Sequence, residues 1–299
     1  MNFLAAELRD ILQGPVLVGE PLRRHTTWRI GGPADIFIAP RNETELLASL
    51  RLLARVDVPW LPLGTGSNLL IRDGGFRGAV IHTGALRDSE FLGEGRVRVG
   101  GGLPLMRLVR ACARKGLAGL EDLAGIPATV GGAVAMNAGA GGQDIAGVLE
   151  TVSLAGPDGI EICSAARLDL GYRRAALPHG RIVAAALLRF QPADPQWLEQ
   201  RIQSRLQNRR KAQGVGKPNA GSVFKNPPGE QAWKLIDRAG LRGYAVGNAE
   251  VSEKHTNFIV NRGGARASDV LALIAEIQRI VREQTGILLE PEVQVVGDA

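Results

Sequence analysis

The periodicity of apolar positions predicts a chain of short, mixed elements. Leu46, Leu47, Leu50 and Leu53 fall on one face of a helix, which Asn42 can cap with Glu45 three residues on. A buried strand follows at Trp60-Leu61-Pro62-Leu63, and another at Leu69-Leu70-Ile71 before a turn at Asp73-Gly74-Gly75. Residues 78–83, 97–100, 148–155, 160–163 and 182–190 read as further strands. Between them, residues 104–115 form a helical pattern with Leu105, Leu108, Val109 and Cys112 inward. Pro195 starts a polar helix to about Lys211, with Trp197, Ile202 and Leu206 on its apolar side. Residues 230–239 and 268–285 read as helices stopped by Gly240 and Gly286, and 288–296 as a closing strand. The helix from Pro195 is the expected boundary between an N-terminal cofactor region and a C-terminal lobe.

Two segments have too few side chains to act through anything but backbone. Residues 125–142, GIPATVGGAVAMNAGAGG, hold six glycines, five alanines and no charge. Glycine admits positive φ and close approach of another molecule, so a phosphate or a flat cofactor ring is the expected guest. Gly64-Thr65-Gly66-Ser67-Asn68 is a second such loop. It lies between two strands and does not open a helix, which excludes a Rossmann or P-loop arrangement. Together the two loops can clasp the two halves of a dinucleotide.

Composition narrows the class. With 299 residues and 45% hydrophobic content the chain can bury a substantial core. A formal charge of +6 favours anionic partners, yet no dense basic stripe marks a nucleic-acid binder. The run Arg201, Arg205, Arg209, Arg210, Lys211 reads as a solvated helix face, with attraction for phosphate as the alternative. Cys112 and Cys163 form no CxxC pair, which points to a reducing cytoplasm and away from a disulfide scaffold. Glu7, Arg9 and Asp10 interrupt the apolar pattern of the first residues, which suits an amphipathic helix and not a signal peptide. No stretch has the length of a membrane span, and His25, His82, His179 and His255 lack metal-ligand spacing, so no metal is expected.

Three further stretches carry chemistry. Pro218 to Pro227, PNAGSVFKNP, holds the Ser222 hydroxyl beside Lys225 and Asn226; Gly171-Tyr172-Arg173 offers a guanidinium fork for a carboxylate; Leu289 to Val293, LEPEV, offers two carboxylates. Alone, each is equally a structured turn or an ordinary surface group.

Seven stretches in order resemble the UDP-N-acetylenolpyruvoylglucosamine reductases (MurB): residues 26–32 (TTWRIGG), 63–68, 125–139, 171–173, 219–227, 255–261 and 290–293. The resemblance implies an α+β fold, with a two-subdomain FAD-binding region of the PCMH/vanillyl-alcohol-oxidase type and a C-terminal α+β substrate lobe. It sets the FAD region at 1–194 (subdomains about 1–75 and 76–194, with 287–299 returning to the first) and the substrate lobe at 195–286. Arg29, Ile30, Gly31, Gly64, Thr65, Gly66, Ser67, Asn68, Gly125, Ile126, Pro127, Thr129, Val130, Gly131, Gly132, Asn137, Ala138 and Gly139 would line non-covalent FAD. Tyr172, Lys225 and Asn226 would meet the substrate, UDP-N-acetylglucosamine enolpyruvate, with NADPH as hydride donor. Arg173 would stabilise an enolate, Ser222 would give a proton, and Glu292 would complete the set with Glu290 in reserve, because the family's Glu-Val pair matches Glu292-Val293. A monomer of the shorter subtype is implied, since 49 residues from Arg173 to Ser222 leave little room for a substrate-covering Tyr loop. The chain departs from the family at Ala140-Gly141-Gly142, where an aromatic is usual in the middle, and at Arg174-Ala175, where a Ser is usual second. Another flavin oxidoreductase and a non-catalytic nucleotide binder are the competing classes.

Overall fold

A computed structural model describes residues 1–299. The chain divides into two compact units, and it crosses between them several times: the first comprises Met1–Val18, Asp35–Thr65 and Gly78–Arg209, the second Gly19–Ala34, Gly66–Arg77 and Arg210–Ala299.

The first unit contains α1 (Asn2–Ile11), α2 (Glu43–Arg55), α3 (Leu105–Arg114), α4 (Val130–Ala135) and nearly all of α5 (Pro195–Gln213). The expected cap of α2 is present: the Asn42 side chain accepts from the Glu45 amide at 2.9 Å. Trp60–Leu63 and Phe76–His82 pair in parallel within a four-stranded sheet, whose apolar face, with Ile36, Ile38 and Ile81, is covered by Leu46, Leu50 and Leu53 of α2 and Leu4 and Leu8 of α1. A separate antiparallel sheet runs in the order Gly159–Ser164, Leu149–Gly156, Ile182–Arg189, Arg96–Gly100, Ser89–Gly93. Its core takes in Leu105, Leu108, Val109 and Cys112 of α3 and Val130 and Val134 of α4.

Leu198 and Ile202 are fully buried in that same core. Their burial binds α5 to the first unit, and the division falls between Arg209 and Arg210 instead of at residue 195. The second unit likewise recruits residues from the N-terminal half: Trp28, Ile30 and Leu70 are buried against Phe224, Ile259, Val270 and Ile277.

The second unit holds α6 (Ala232–Arg238), α7 (Ala267–Thr285) and an antiparallel sheet ordered Asn219–Ser222, Phe258–Asn261, Ala249–Val251, Ala245–Val246. Asp73, read from sequence as a turn residue, accepts from the Ala267 and Ser268 amides at 2.8 and 3.0 Å and so satisfies the first turn of α7. Gly286 ends α7 with φ +73°. Of the closing segment, only Gln294–Val296 forms a regular ladder, parallel to Leu69–Ile71. Pro291, which lacks an amide hydrogen, precedes it and makes an isolated bridge with Phe224.

Candidate active site

In the first unit, the two glycine-rich segments touch. Thr65 Oγ1 donates to the Pro127 carbonyl at 2.6 Å, and a Cβ on Gly64 would lie 2.6 Å from Thr129 Oγ1, so only glycine permits the approach. Thr129 caps α4, its hydroxyl accepting from the Gly132 amide at 3.2 Å. Residues 130–135 were expected as part of an open anion-binding loop, but they form a helix whose leading amides are already occupied. Val130 N–H donates to Leu103 O at 2.9 Å and Gly131 N–H to Gly101 O at 2.7 Å. At Gly131, a Cβ would come within 3.0 Å of the Gly101 carbonyl, so this glycine serves close packing of backbones.

The end of the segment builds a second cluster. Asn137, at φ +38°, donates to Gly171 O at 3.0 Å and accepts from Ala146 N–H at 3.0 Å. Gly171 and Arg174 close a tight turn through reciprocal backbone hydrogen bonds of 2.9 and 3.1 Å, with Tyr172 and Arg173 at its tip. Arg173 sits at φ +54°, a conformation that L-residues adopt at a cost, and its guanidinium donates to the Gly139 carbonyl at 2.9 Å while lying 5.2 Å from the Tyr172 ring centre. Asn137, Gly139, Tyr172 and Arg173, all singled out from the sequence, are therefore one cluster. Ala138 packs on the core beside it, as do Ile126 and Ala128.

In the same unit the arginine-rich run of α5, expected as a solvated face, is engaged at two of its residues while Arg210 and Lys211 stay exposed. Asp122, whose side chain is 0% exposed, is gripped by both Arg201 and Arg205. The Nε of each arginine donates to Oδ1 at 2.8 Å, and a terminal nitrogen of each donates to Oδ2 at 2.6 and 2.8 Å. The Arg205 hydrogen bonds, and then those of Arg201, hold the Asp122 carboxyl down at about 2 against its burial. A Cβ on Gly141 would lie 1.6 Å from the Arg205 guanidinium and 2.9 Å from Asp122, so this pair leaves no room for a side chain there.

The second unit gathers the remaining candidates. Thr26, Arg29, Ile30 and Gly31 form one turn: the Thr26 hydroxyl donates to Ile30 O at 2.8 Å, Arg29 is at φ +56° and Gly31 at φ +142°. Trp28 anchors it, fully buried, donating from its indole to Ile259 O at 2.8 Å. Thr27 N–H donates to Gly66 O at 3.3 Å, and a Cβ on Gly66 would meet His25 O at 2.4 Å. Thr27 Oγ1 is buried with no hydrogen-bond partner in the protein.

Ser222 ends the strand paired with Phe258–Asn261, just after Gly221 at φ +74°. The next residues are fixed from both sides. Asn257 accepts from the Phe224 amide at 2.9 Å and donates to the Phe224 carbonyl at 2.8 Å, while Glu292 N–H donates to Val223 O at 2.7 Å. Asn68 completes the connection by donating to Glu292 O at 3.1 Å and accepting from Gln294 N–H at 3.0 Å. Val223, next to Ser222, thus belongs with Glu292 and Asn68, far apart in sequence, to one hydrogen-bonded cluster. Glu290 points elsewhere and pairs with Lys225 Nζ at 2.5 Å. Asn226 Oδ1 accepts from Ala232 N–H at 3.0 Å and so supports the start of α6. Asp122 and Asn257 are the residues that sequence reasoning missed: Asp122 gives no local signal, and Asn257 lies in the stretch 255–261 without a role of its own.

Comparison with known proteins identifies the family. A profile described as the UDP-N-acetylenolpyruvoylglucosamine reductase C-terminal domain matches residues 213–296, and an FAD binding domain profile matches 34–160. The UDP-N-acetylenolpyruvoylglucosamine reductase of Syntrophotalea carbinolica is 68% identical over 100% of both chains, and that of Bacillus subtilis 41% identical over 99% of both. The crystal structure of the Thermus caldophilus reductase (MurB) superposes with a TM-score of 0.80 at 37% identity, covering 95% of this chain and 99% of that one. An alkyldihydroxyacetonephosphate synthase shares only the fold, with a TM-score of 0.51 at 15% identity over 64% of this chain and 40% of that one. The fold is accordingly α+β with an FAD-binding region of the PCMH/vanillyl-alcohol-oxidase type, and the chain belongs to the UDP-N-acetylenolpyruvoylglucosamine reductase family.

Proposed function

We propose that this oxidoreductase reduces UDP-N-acetylglucosamine enolpyruvate to UDP-N-acetylmuramate in peptidoglycan precursor synthesis, with NADPH as donor and FAD as the redox group. The observation that carries this reading furthest is the cluster in which Glu292, Asn68 and the backbone beside Ser222 are hydrogen-bonded together. An FAD clasp alone would have no use for tying the backbone beside a serine to that of a glutamate 70 residues later.

The residues present fit FAD. The buried Thr27 hydroxyl, without a protein partner, suits a polar group of the cofactor, and Arg29 beside it suits a phosphate. Gly64, Thr65, Gly66, Ser67, Asn68, Gly125, Ile126, Pro127, Thr129, Val130, Gly131, Gly132, Asn137, Ala138 and Gly139 lie within the matched FAD-binding region, and Ile30 and Gly31 complete the cofactor set. When bound, FAD carries hydride between the nicotinamide and the enolpyruvyl group.

The chain's own residues then have distinct tasks. Adding hydride to the vinyl terminus places negative charge next to the substrate carboxylate. The Arg173 guanidinium, already oriented by Gly139 O, neutralises it. Ser222 Oγ delivers a proton to the α-carbon; a hydroxyl is a weak acid, but an enolate at hydrogen-bond distance is a strong enough base for position to dominate. Glu292 assists at the same centre, and Tyr172, Lys225 and Asn226 meet the sugar nucleotide. No helix is long and apolar enough to cross a membrane, and Cys112 and Cys163 are buried and free, which suits the reducing cytoplasm.

The test is an anaerobic stopped-flow comparison with Ser222→Ala. Flavin reduction by NADPH stays near wild type, while reoxidation by the enolpyruvyl sugar nucleotide slows by roughly 10²–10⁴-fold. Equal slowing of both half-reactions refutes the role of Ser222, and a protein that stays colourless with added FAD refutes the reading as a whole.

A further inference from the structure

Trp28 stands where two functional stretches of the second unit meet. It lies in the turn that begins at Thr26, between Thr27, whose buried hydroxyl has no hydrogen-bond partner in the protein, and Arg29 at φ +56°. Its indole donates at 2.8 Å to the carbonyl of Ile259, a residue 231 positions later, and the Asn261 side chain donates back to the Trp28 carbonyl at 3.0 Å. Both hydrogen bonds are buried, where a lost partner costs most. Asn261 is held in turn, because its Oδ1 accepts from the Gly263 and Ala265 amides at 2.8 and 3.0 Å.

The point at which the indole lands is specific. Asn219 pairs with Val260 and Ser222 with Phe258, so three steps along one strand face two along the other. The extra residue is a bulge, which re-aims the side chains beside it. Gly221 makes the bend at φ +74°, and its amide turns to Asn219 Oδ1 at 2.9 Å. Ile259 is the residue left opposite Ala220 and Gly221, and the Ile259 carbonyl is the one that takes the Trp28 indole. Ser222 closes the bulge. Removing the extra residue would flip its hydroxyl to the other face of the sheet, since successive side chains alternate. Downstream of Ser222 the backbone is fixed by Asn257 and Glu292. Upstream, Asn219–Ser222 is an edge strand with a neighbour on one side only, so its register rests on the bulge and on what holds the strand opposite.

We propose that Trp28 is a positioning residue for Ser222: its indole N–H fixes the Ile259 carbonyl opposite the bulge and thereby fixes the direction of the Ser222 hydroxyl. The inference rests on the reductase reading above, in which Ser222 gives the proton. The same turn carries Thr27 and Arg29 for the cofactor, so one fully buried ring sets the proton donor relative to the cofactor turn instead of leaving it to the edge of its own sheet. Small errors of placement are costly for such a group, because a weak acid acts through position.

The test compares wild type, Trp28→Phe, Ser222→Ala, the double variant, and Ile277→Ala, which loosens the same core from α7 and controls for lost packing. Hydrogen exchange of the peptide 219–224, read by mass spectrometry with and without FAD, reports the strand itself. It is about 5–10-fold faster in Trp28→Phe than in Ile277→Ala, as expected for one lost buried hydrogen bond. In FAD-saturated enzyme, Trp28→Phe slows flavin reoxidation by the enolpyruvyl sugar nucleotide roughly 10–100-fold and leaves reduction by NADPH within about threefold. Added to Ser222→Ala, it slows reoxidation by less than about twofold, because nothing is left to position. Should Trp28→Phe not fold, Asn261→Ala, which removes the donor to the Trp28 carbonyl, carries the same comparisons in the same direction. Exchange no faster than in Ile277→Ala, or fully multiplicative losses in the double variant, overturns the proposal. A Ser222→Ala enzyme that reoxidises at the wild-type rate overturns the proton-donor reading instead, and faster exchange of 219–224 in Trp28→Phe would then leave the indole's hold on the strand standing.

Discussion

Replacing Asp122 by Asn tests whether the arginine pair of α5 is an energetic element of the fold. The substitution keeps shape and volume but removes the charge that four hydrogen bonds from Arg201 and Arg205 converge on. Two routes bound the cost. A carboxyl drawn from 3.8 to about 2 is stabilised by about 2 kcal/mol when ionised. Removing one partner of a fully buried ion pair costs about 3–5 kcal/mol, but Arg201 and Arg205 are 40% and 35% exposed, so water recovers part of their loss. The expected destabilisation at pH 7 is therefore about 2–3 kcal/mol, read from the urea midpoint at an unchanged slope. The pH dependence supplies an independent check of sign. Because the folded carboxyl has the lower pKa, its contribution is complete above about 3.8 and is lost as pH falls from there toward about 2. The gap between wild type and Asp122→Asn must narrow across that window. A loss under about 0.5 kcal/mol at pH 7, or a gap that stays constant down to pH 3, would refute the reasoning.

Gly141→Tyr drives a side chain into Arg205 from a φ of +63°. A loss of about 2–3 kcal/mol follows, and a double-mutant cycle with Arg205→Ala shows the two losses to be less than additive. Asn257→Ala leaves the Phe224 amide and carbonyl without their buried partners and lowers stability by about 2–3 kcal/mol in thermal unfolding; an unchanged midpoint would deny that this side chain fixes the backbone beside Ser222. Glu292→Gln slows flavin reoxidation by substrate by about 10²-fold, whereas Glu290→Gln, which removes an ion pair of an exposed carboxylate with Lys225, changes it less than about threefold. A larger effect for Glu290→Gln would reverse the assignment.

What was legible in the sequence follows from how locally each feature is determined. The Asn42 cap and the Gly286 stop need only a few adjacent residues, and both elements form where their signals lie. The helix Val130–Ala135 was hidden because two glycines weaken it; it exists through the Thr129 cap and amides bonded to Leu103 and Gly101, a tertiary arrangement that overrides propensity. The face of α5 was misread for a related reason. Nothing near Arg201 indicates that a carboxylate 79 positions earlier will be buried against it. The strands Val16–Pro21, Pro33–Ile38 and Ser89–Gly93 lack a clean alternation and escaped notice. Within the candidate site, identities were legible but groupings were not: the hydrogen bonds from Asn137 to Gly171 O and from Asn68 to Glu292 O connect residues that no spacing rule relates.

Arg29, Asn137 and Arg173 have in common a backbone twist that glycine tolerates better than they do. At exposed Arg29, glycine would relieve strain worth about 1 kcal/mol in local backbone energy, whereas at Asn137 and Arg173 the lost hydrogen bonds offset that relief. Selection for heat resistance alone would therefore tend to erase Arg29, which selection for cofactor binding retains. A laboratory evolution of this protein scored only on survival at high temperature has to be screened for flavin content at every round.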